Sequence, residues 1–131
     1  ELPTMAFFTK MSEKINCGTL IKFSILMFVV KHALTYFATN MIMIYLAQVC
    51  QMFAYALFVP ASVYYVNKKI AVADRVKGQS LVTTSMTLSG VFANFAGGIM
   101  LDALGVGHVL LAGVVLSIVG AVIVILMTEK V

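Results

Sequence analysis

The chain has 131 residues, of which 62% are hydrophobic and 11% charged, and its net charge is +4. A soluble domain of this length leaves about a third of its surface in water, and about a quarter of its residues are charged, so much of this chain must face lipid. The basic excess does not mark a nucleic-acid binder, because the cations are not spread over a solvated face. No glycine-rich phosphate cradle opens a helix after a strand, and no cysteine–histidine cluster has metal spacing. No cofactor, metal or catalytic set is expected, and the chain is not read as an enzyme. The two cysteines, Cys17 and Cys50, are too few for a disulfide framework. One falls in a predicted loop and the other in a predicted helix, so both read as reduced, structural thiols.

In chain order, Glu1 to Phe8 is an apolar run that as a helix covers about 12 Å, roughly half of a ~30 Å hydrocarbon core. There is no opening methionine and no basic start before it, so it is not a signal peptide. It reads as a helix cut midway, and the chain as the C-terminal piece of a larger membrane protein. The expected spans are 1–9 (partial), 19–38, 41–66, 80–101 and 109–127, parts of one transmembrane domain. Lys10, Glu13, Lys14, Asn16 and Gly18 make the first polar turn, and Thr39-Asn40 a tight one opposite. The third span is long enough to tilt, with a kink expected at Pro60. Asn67 to Gln79 is a basic loop, and Asp102 to His108 a turn with two glycines.

Eight of the nine lysines and arginines fall on alternate connections: Lys10, Lys14 and Lys22, then Lys68, Lys69, Arg75 and Lys77, then Lys130. The opposite turns carry none. By the positive-inside rule the basic loops and the C-terminus face the cytoplasm, which makes this a multi-pass protein of the inner or plasma membrane. The basic loop also suits anionic lipid heads.

The last two spans differ in character. Thr83, Thr87, Gly90 and Asn94 recur at helical spacing inside an uncharged run, the pattern of a helix with one face on other helices or on a wet cavity. Val109 to Met127 is nearly all aliphatic. Its Gly113, Ser117 and Ala121 form a small-residue stripe for packing on one neighbour, and it reads as peripheral.

Lys31 is the remaining cation, inside a span, where insertion costs about 2.5–3.5 kcal/mol. Lys22 escapes by snorkelling toward the N-terminal end of its helix. Lys31 lies deeper, with its nearer water against that tilt, so it is expected to face protein or a wet cavity. Glu1 stands at similar depth on the preceding antiparallel helix. A pair at this depth either holds the bundle together or carries a proton. His32, about 100° further round, reads as a packing residue in the first instance. Gln48, Gln51 and Tyr55 share a face of the next span and suit a neutral polar ligand or a neighbouring helix. Asn94 is a single amide that either glues helices or contacts substrate.

Several segments, in this order and with these loop lengths, carry a resemblance. They are Glu1-Leu-Pro at mid-helix, Lys31 in the next span, Leu46-Ala-Gln48 with Gln51-Met-Phe-Ala54, Ala73-Asp-Arg-Val-Lys-Gly-Gln79 and Gly98-Ile-Met-Leu-Asp102-Ala-Leu-Gly105. Together they resemble the end of a major facilitator superfamily transporter, in the branch that includes lactose permease, phenylpropionate permease-like proteins and nucleoside symporters. The resemblance covers essentially the whole chain and implies an all-α polytopic transmembrane bundle, running from the middle of helix eight to the end of helix twelve of a twelve-helix fold. It implies that the spans holding Glu1, Gln48 and Asn94 line a cavity and that those holding Lys31 and Ser117 are peripheral. Glu1 matches a glutamate tied to substrate and proton binding, and Lys31 the position of an arginine. Gln48, Gln51 and Ala54 stand where lactose permease has lysine, histidine and glutamate, so lactose specificity and that titratable pair do not carry over.

The expected function is secondary active transport, by proton-coupled symport of a small polar solute such as a sugar or nucleoside. The expected partners are that solute, protons, the lipid bilayer and the missing N-terminal half. An exporter of amphipathic compounds is the alternative within transport. A non-transporting assembly or anchor module is the alternative from another class, against which the cost of placing Lys31, Gln48, Gln51 and Asn94 in the membrane argues.

Overall fold

The computed structural model describes residues 2–128, apart from the side chains of Thr4 and Met5. Its elements are α1 (Leu2–Lys14), α2 (Cys17–Tyr36), α3 (Met41–Lys69), a single 3-10 turn (Val72–Asp74), α4 (Arg75–Leu104) and α5 (Val106–Met127), with no strand among the described residues. Helices α2, α3, α4 and α5 are each long and apolar enough to cross a membrane. The protein is an all-α transmembrane bundle.

The helices outrun the apolar runs. Lys10 to Lys14 continue α1, Cys17 opens α2, and α4 begins at Arg75 inside the charged segment. The reason is length. The 30 residues of α4 rise about 45 Å, enough to cross the headgroup zones as well as the hydrocarbon, together about 40–45 Å. In that zone polar side chains do not oppose helix formation. Cys17 is therefore helical and fully buried, not a loop residue, while Cys50 is half-buried; both are free thiols. Helix α3 runs unbroken through Pro60 to Lys69.

Helix α2 is the centre of the bundle, packed along α3 on one flank and α5 on the other, with α1 lying on α3. On α3 the residues Ala47, Ala54 and Ala61 are at most 1% exposed. Their seven-residue spacing returns each to nearly the same face, and their small size lets the neighbouring backbone come close. Cys17 and Ser24 of α2 share that spacing and are fully buried. Around them Phe8, Leu20, Ile21, Leu57 and Ala61 form the core, with Phe58 and Val124 packed against it. The Phe28 ring meets Tyr55 and Phe58 edge-on, at centroid distances of 6.5 and 6.4 Å. The Gly113, Ser117 and Ala121 stripe turns toward α2: Ala121 is buried, and a Cβ on Gly113 would sit 3.4 Å from the His32 ring.

Helix α4 is different, with no buried residue. The sequence marks it as an inner helix, yet Thr83, Thr87 and Asn94 are exposed in this chain. Their neighbours Ser85 and Ser89, and Thr87 itself, bond to carbonyls of their own helix, so the hydroxyls need no partner helix to be satisfied. Only the two ends of α4 are held. At the first, a Cβ on Gly78 would stand 2.5 Å from Ile70 Cδ1 and 2.9 Å from Val66 Cγ1, so any side chain there would have to push both away from the start of α4. The neighbouring Gln79 Nε2 donates to the Val63 carbonyl at 3.1 Å.

At the other end Gly105 is the whole connection to α5. Its φ of 84° and ψ of 174° lie in a region open essentially to glycine alone. Gly105→Ala is expected to destabilise the protein by about 1–2 kcal/mol through backbone strain, since nothing stands within 4 Å of the added Cβ. A lower thermal midpoint in detergent checks this, and an unchanged midpoint means that α4 and α5 re-form the turn without strain.

Helices α2 and α3 pack along each other across a short connection, α1 lies on α3, and α4 starts beside the end of α3 at Val66 and Ile70. Lys14 and Lys22 therefore share one end of the bundle with Lys68, Arg75 and Lys77. Lys77 and Asp74 pair there at 2.8 Å on the surface, a contact of small energetic weight.

Candidate functional site

The site begins with helical spacing on α2. Lys31 follows Cys17 and Ser24 at the same seven-residue interval, so it lies near the face that those two residues bury. The core fills that face toward the basic end of the bundle. Toward the other end it opens into a cavity of about 340 Å³. Lys31, His32 and Thr35 of α2 form one wall, Ala93, Ala96, Gly97 and Met100 of α4 another, and Val109, Leu110, Ala112, Gly113 and Leu116 of α5 the third. Small residues on α4 and α5 make the space: alanine and glycine stand where longer side chains would fill it.

The polar groups of the α2 wall are specifically arranged. His32 Nδ1 lies 2.7 Å from the Phe28 carbonyl. A carbonyl only accepts, so Nδ1 carries the proton and donates it, leaving Nε2 as the uncommitted ring nitrogen. Thr35 Oγ1 donates to the Lys31 carbonyl at 2.8 Å, which leaves its hydroxyl oxygen free to accept. Among the described residues, the Lys31 ammonium has no hydrogen-bond or ion-pair partner. From Lys31 to the end of α2 at Tyr36 is about 8 Å of helix rise, so the cation sits in the half of the span away from the basic loops.

Of the described candidates for the solute and proton path, the structure brings Lys31 alone to this cavity. Gln48 is exposed and Gln51 half-buried on α3, which does not line it. Tyr55, 40% exposed, meets the edge of Phe28 instead. Asn94 is exposed on α4, about 100° round from Ala93 and off the cavity wall. Glu1 lies outside the described residues. Lys31 is thus grouped with His32 and Thr35, and not with Gln48, Gln51, Tyr55 or Asn94. His32 reads as packing in sequence and does pack beside Gly113, yet it also lines the cavity, because the wall spans about 100° of α2. Thr35 was detectable as the residue one turn on from Lys31.

Three of these features are those of a membrane protein that handles a solute: four helices able to cross a bilayer, a cavity between three of them, and an intramembrane cation facing it. Residues 2–131 match the family model of the Major Facilitator Superfamily. No curated protein and no solved structure matches the chain. The match covers nearly every residue, and with the helical bundle it identifies the chain as a multi-pass membrane protein of the Major Facilitator Superfamily, a family of membrane transporters.

Proposed function

We propose that the chain is the C-terminal part of a twelve-helix secondary active transporter that moves a small polar solute together with protons by alternating access. The observation that carries this is Lys31. A cation inside a span is costly, and this one faces a cavity of solute size without a partner among the described residues. The exposed polar stripe of α4 and the glutamines of α3 then face the N-terminal half of the transporter or the central passage. Glu1, Gln48, Gln51, Tyr55 and Asn94 are the further candidates for the solute and proton path. The shared basic end supports an orientation with the basic loops in the cytoplasm and the cavity in the outer half of an inner or plasma membrane. A second reading, export of amphipathic compounds, draws on the apolar walls supplied by Met100, Val109, Leu110 and Leu116.

The test is uptake by the full transporter in vesicles, across a panel of sugars, nucleosides and small organic carboxylates, with and without an inward proton gradient. At least one solute is expected to accumulate with the gradient, and Glu1→Gln to abolish that accumulation while the protein still inserts. Accumulation that ignores pH removes the proton from the proposal. Efflux of amphipathic compounds with no uptake favours the second reading.

A further inference from the structure

We infer that the Lys31 cavity holds the carboxylate of a small amphipathic organic anion, with the ammonium as anchor and the α4 and α5 walls around the apolar body. The inference rests on the transport reading above and narrows its cargo to a carboxylate-bearing solute.

Charge comes first. The lining residues of α4 and α5 include no acid and no base, and the α2 wall adds only Lys31 and His32. Asp102 and His108 flank the nearby turn but are exposed and do not line the cavity, and His108 Nδ1 donates across the turn to the Leu104 carbonyl at the end of α4. Among the described residues, the cavity therefore has a cation and no counter-charge. A carboxylate supplies that charge and accepts from the ammonium in a charge-assisted bond, roughly twice as strong as a neutral one. A neutral sugar would leave the charge uncompensated.

Hydrogen-bond supply comes second. The His32 proton is committed to the Phe28 carbonyl and the Thr35 proton to the Lys31 carbonyl. What is left at Thr35 accepts, which suits a hydroxyl or amide on the solute and does not compete for its carboxylate. Shape comes third. The 340 Å³ is near the lower end of small-molecule sites, about 300–1,000 Å³, and most of its wall is aliphatic. One short hydrocarbon or ring bearing one carboxylate fits this combination.

The experiment uses the full transporter in detergent and reads the thermal midpoint with hexanoate and benzoate, against their neutral amides hexanamide and benzamide. The carboxylates are expected to raise the midpoint and the amides to leave it unchanged. Lys31→Arg should keep the response, and Lys31→Met should weaken apparent carboxylate affinity by about tenfold or more. Gly97→Leu provides a second variant that keeps the charge: nothing stands within 4 Å of a Cβ there, and the added side chain fills the cavity. It too should lose the response. The inference is overturned if amides act as well as carboxylates, or if both Lys31→Met and Gly97→Leu respond like the wild type. It is also overturned if carboxylates do nothing while the transporter still accumulates a sugar or nucleoside, a result that leaves the transport reading standing. Carboxylate binding through Lys31 with no transport of any solute gives the reverse: the site holds and the transport reading fails.

Discussion

Ala54→Leu is expected to destabilise the bundle by about 3 kcal/mol, at the upper end of the usual cost of overpacking. Ala54 is fully buried, midway between Ala47 and Ala61 on the seven-residue stripe of α3. In lipid the helices gain little from hiding apolar surface, because the acyl chains are equally apolar. Close backbone approach and dispersion contacts hold them together instead. A leucine in the middle of the stripe pushes the neighbouring helix away, and contacts are lost along the interface as well as at the point of insertion. Ala103→Leu is the matching control. It adds the same atoms to an exposed site on α4 and should move the thermal midpoint little. Equal midpoints for the two variants would mean that the helices around Ala54 separate without loss, and that the alanine stripe does not hold the fold together.

This stripe also shows where the sequence was legible and where it was not. The apolar runs located all four membrane helices, because insertion into hydrocarbon depends on summed hydropathy over about 20 residues. They missed the helix ends. In the headgroup zone Arg75, Lys77 and Gln79 are as compatible with helix as with loop, and the backbone shows that α4 has already begun at Arg75. The Ala47, Ala54 and Ala61 repeat was present in the sequence but hidden among other small and apolar residues, which lipid-facing helices also use. Among the candidate site residues, Lys31 stood out by its cost, a property of one residue. Gln48, Gln51, Tyr55 and Asn94 were grouped with it by depth, and depth does not say which helix faces which. Periodicity assigns a residue to a face of its own helix. The neighbour across that face depends on which helices pack, and here α2 packs on α5 while the far end of α4 lines the same cavity. His32 and Thr35 joined the site for the same reason.

Lys31→Met is expected to lower solute uptake by the full transporter about ten- to hundredfold, the equivalent of losing one hydrogen bond to a charged group, whereas Lys22→Met should leave it nearly unchanged. The two residues test position against charge, since both are lysines on α2 and both are partly buried. Lys22 stands near the basic end, where its side chain points back toward the helix N-terminus and reaches the headgroups. Lys31 is about 14 Å further along and faces the cavity. Methionine keeps most of the lysine stem and removes the charge, so the shape of the cavity wall is largely preserved. The distinction between function and scaffold then lies in which quantity moves. A role in the solute path lowers uptake with the thermal midpoint of the empty protein unchanged or raised, because an uncompensated charge has been removed from the membrane. A structural ion pair with a residue outside the described chain lowers the midpoint, and uptake falls only as far as folded protein is lost. Uptake that survives in Lys31→Met at wild-type level per folded molecule would remove Lys31 from the solute path. The polar face of α3, with Gln48, Gln51 and Tyr55, would then be the place to look for it.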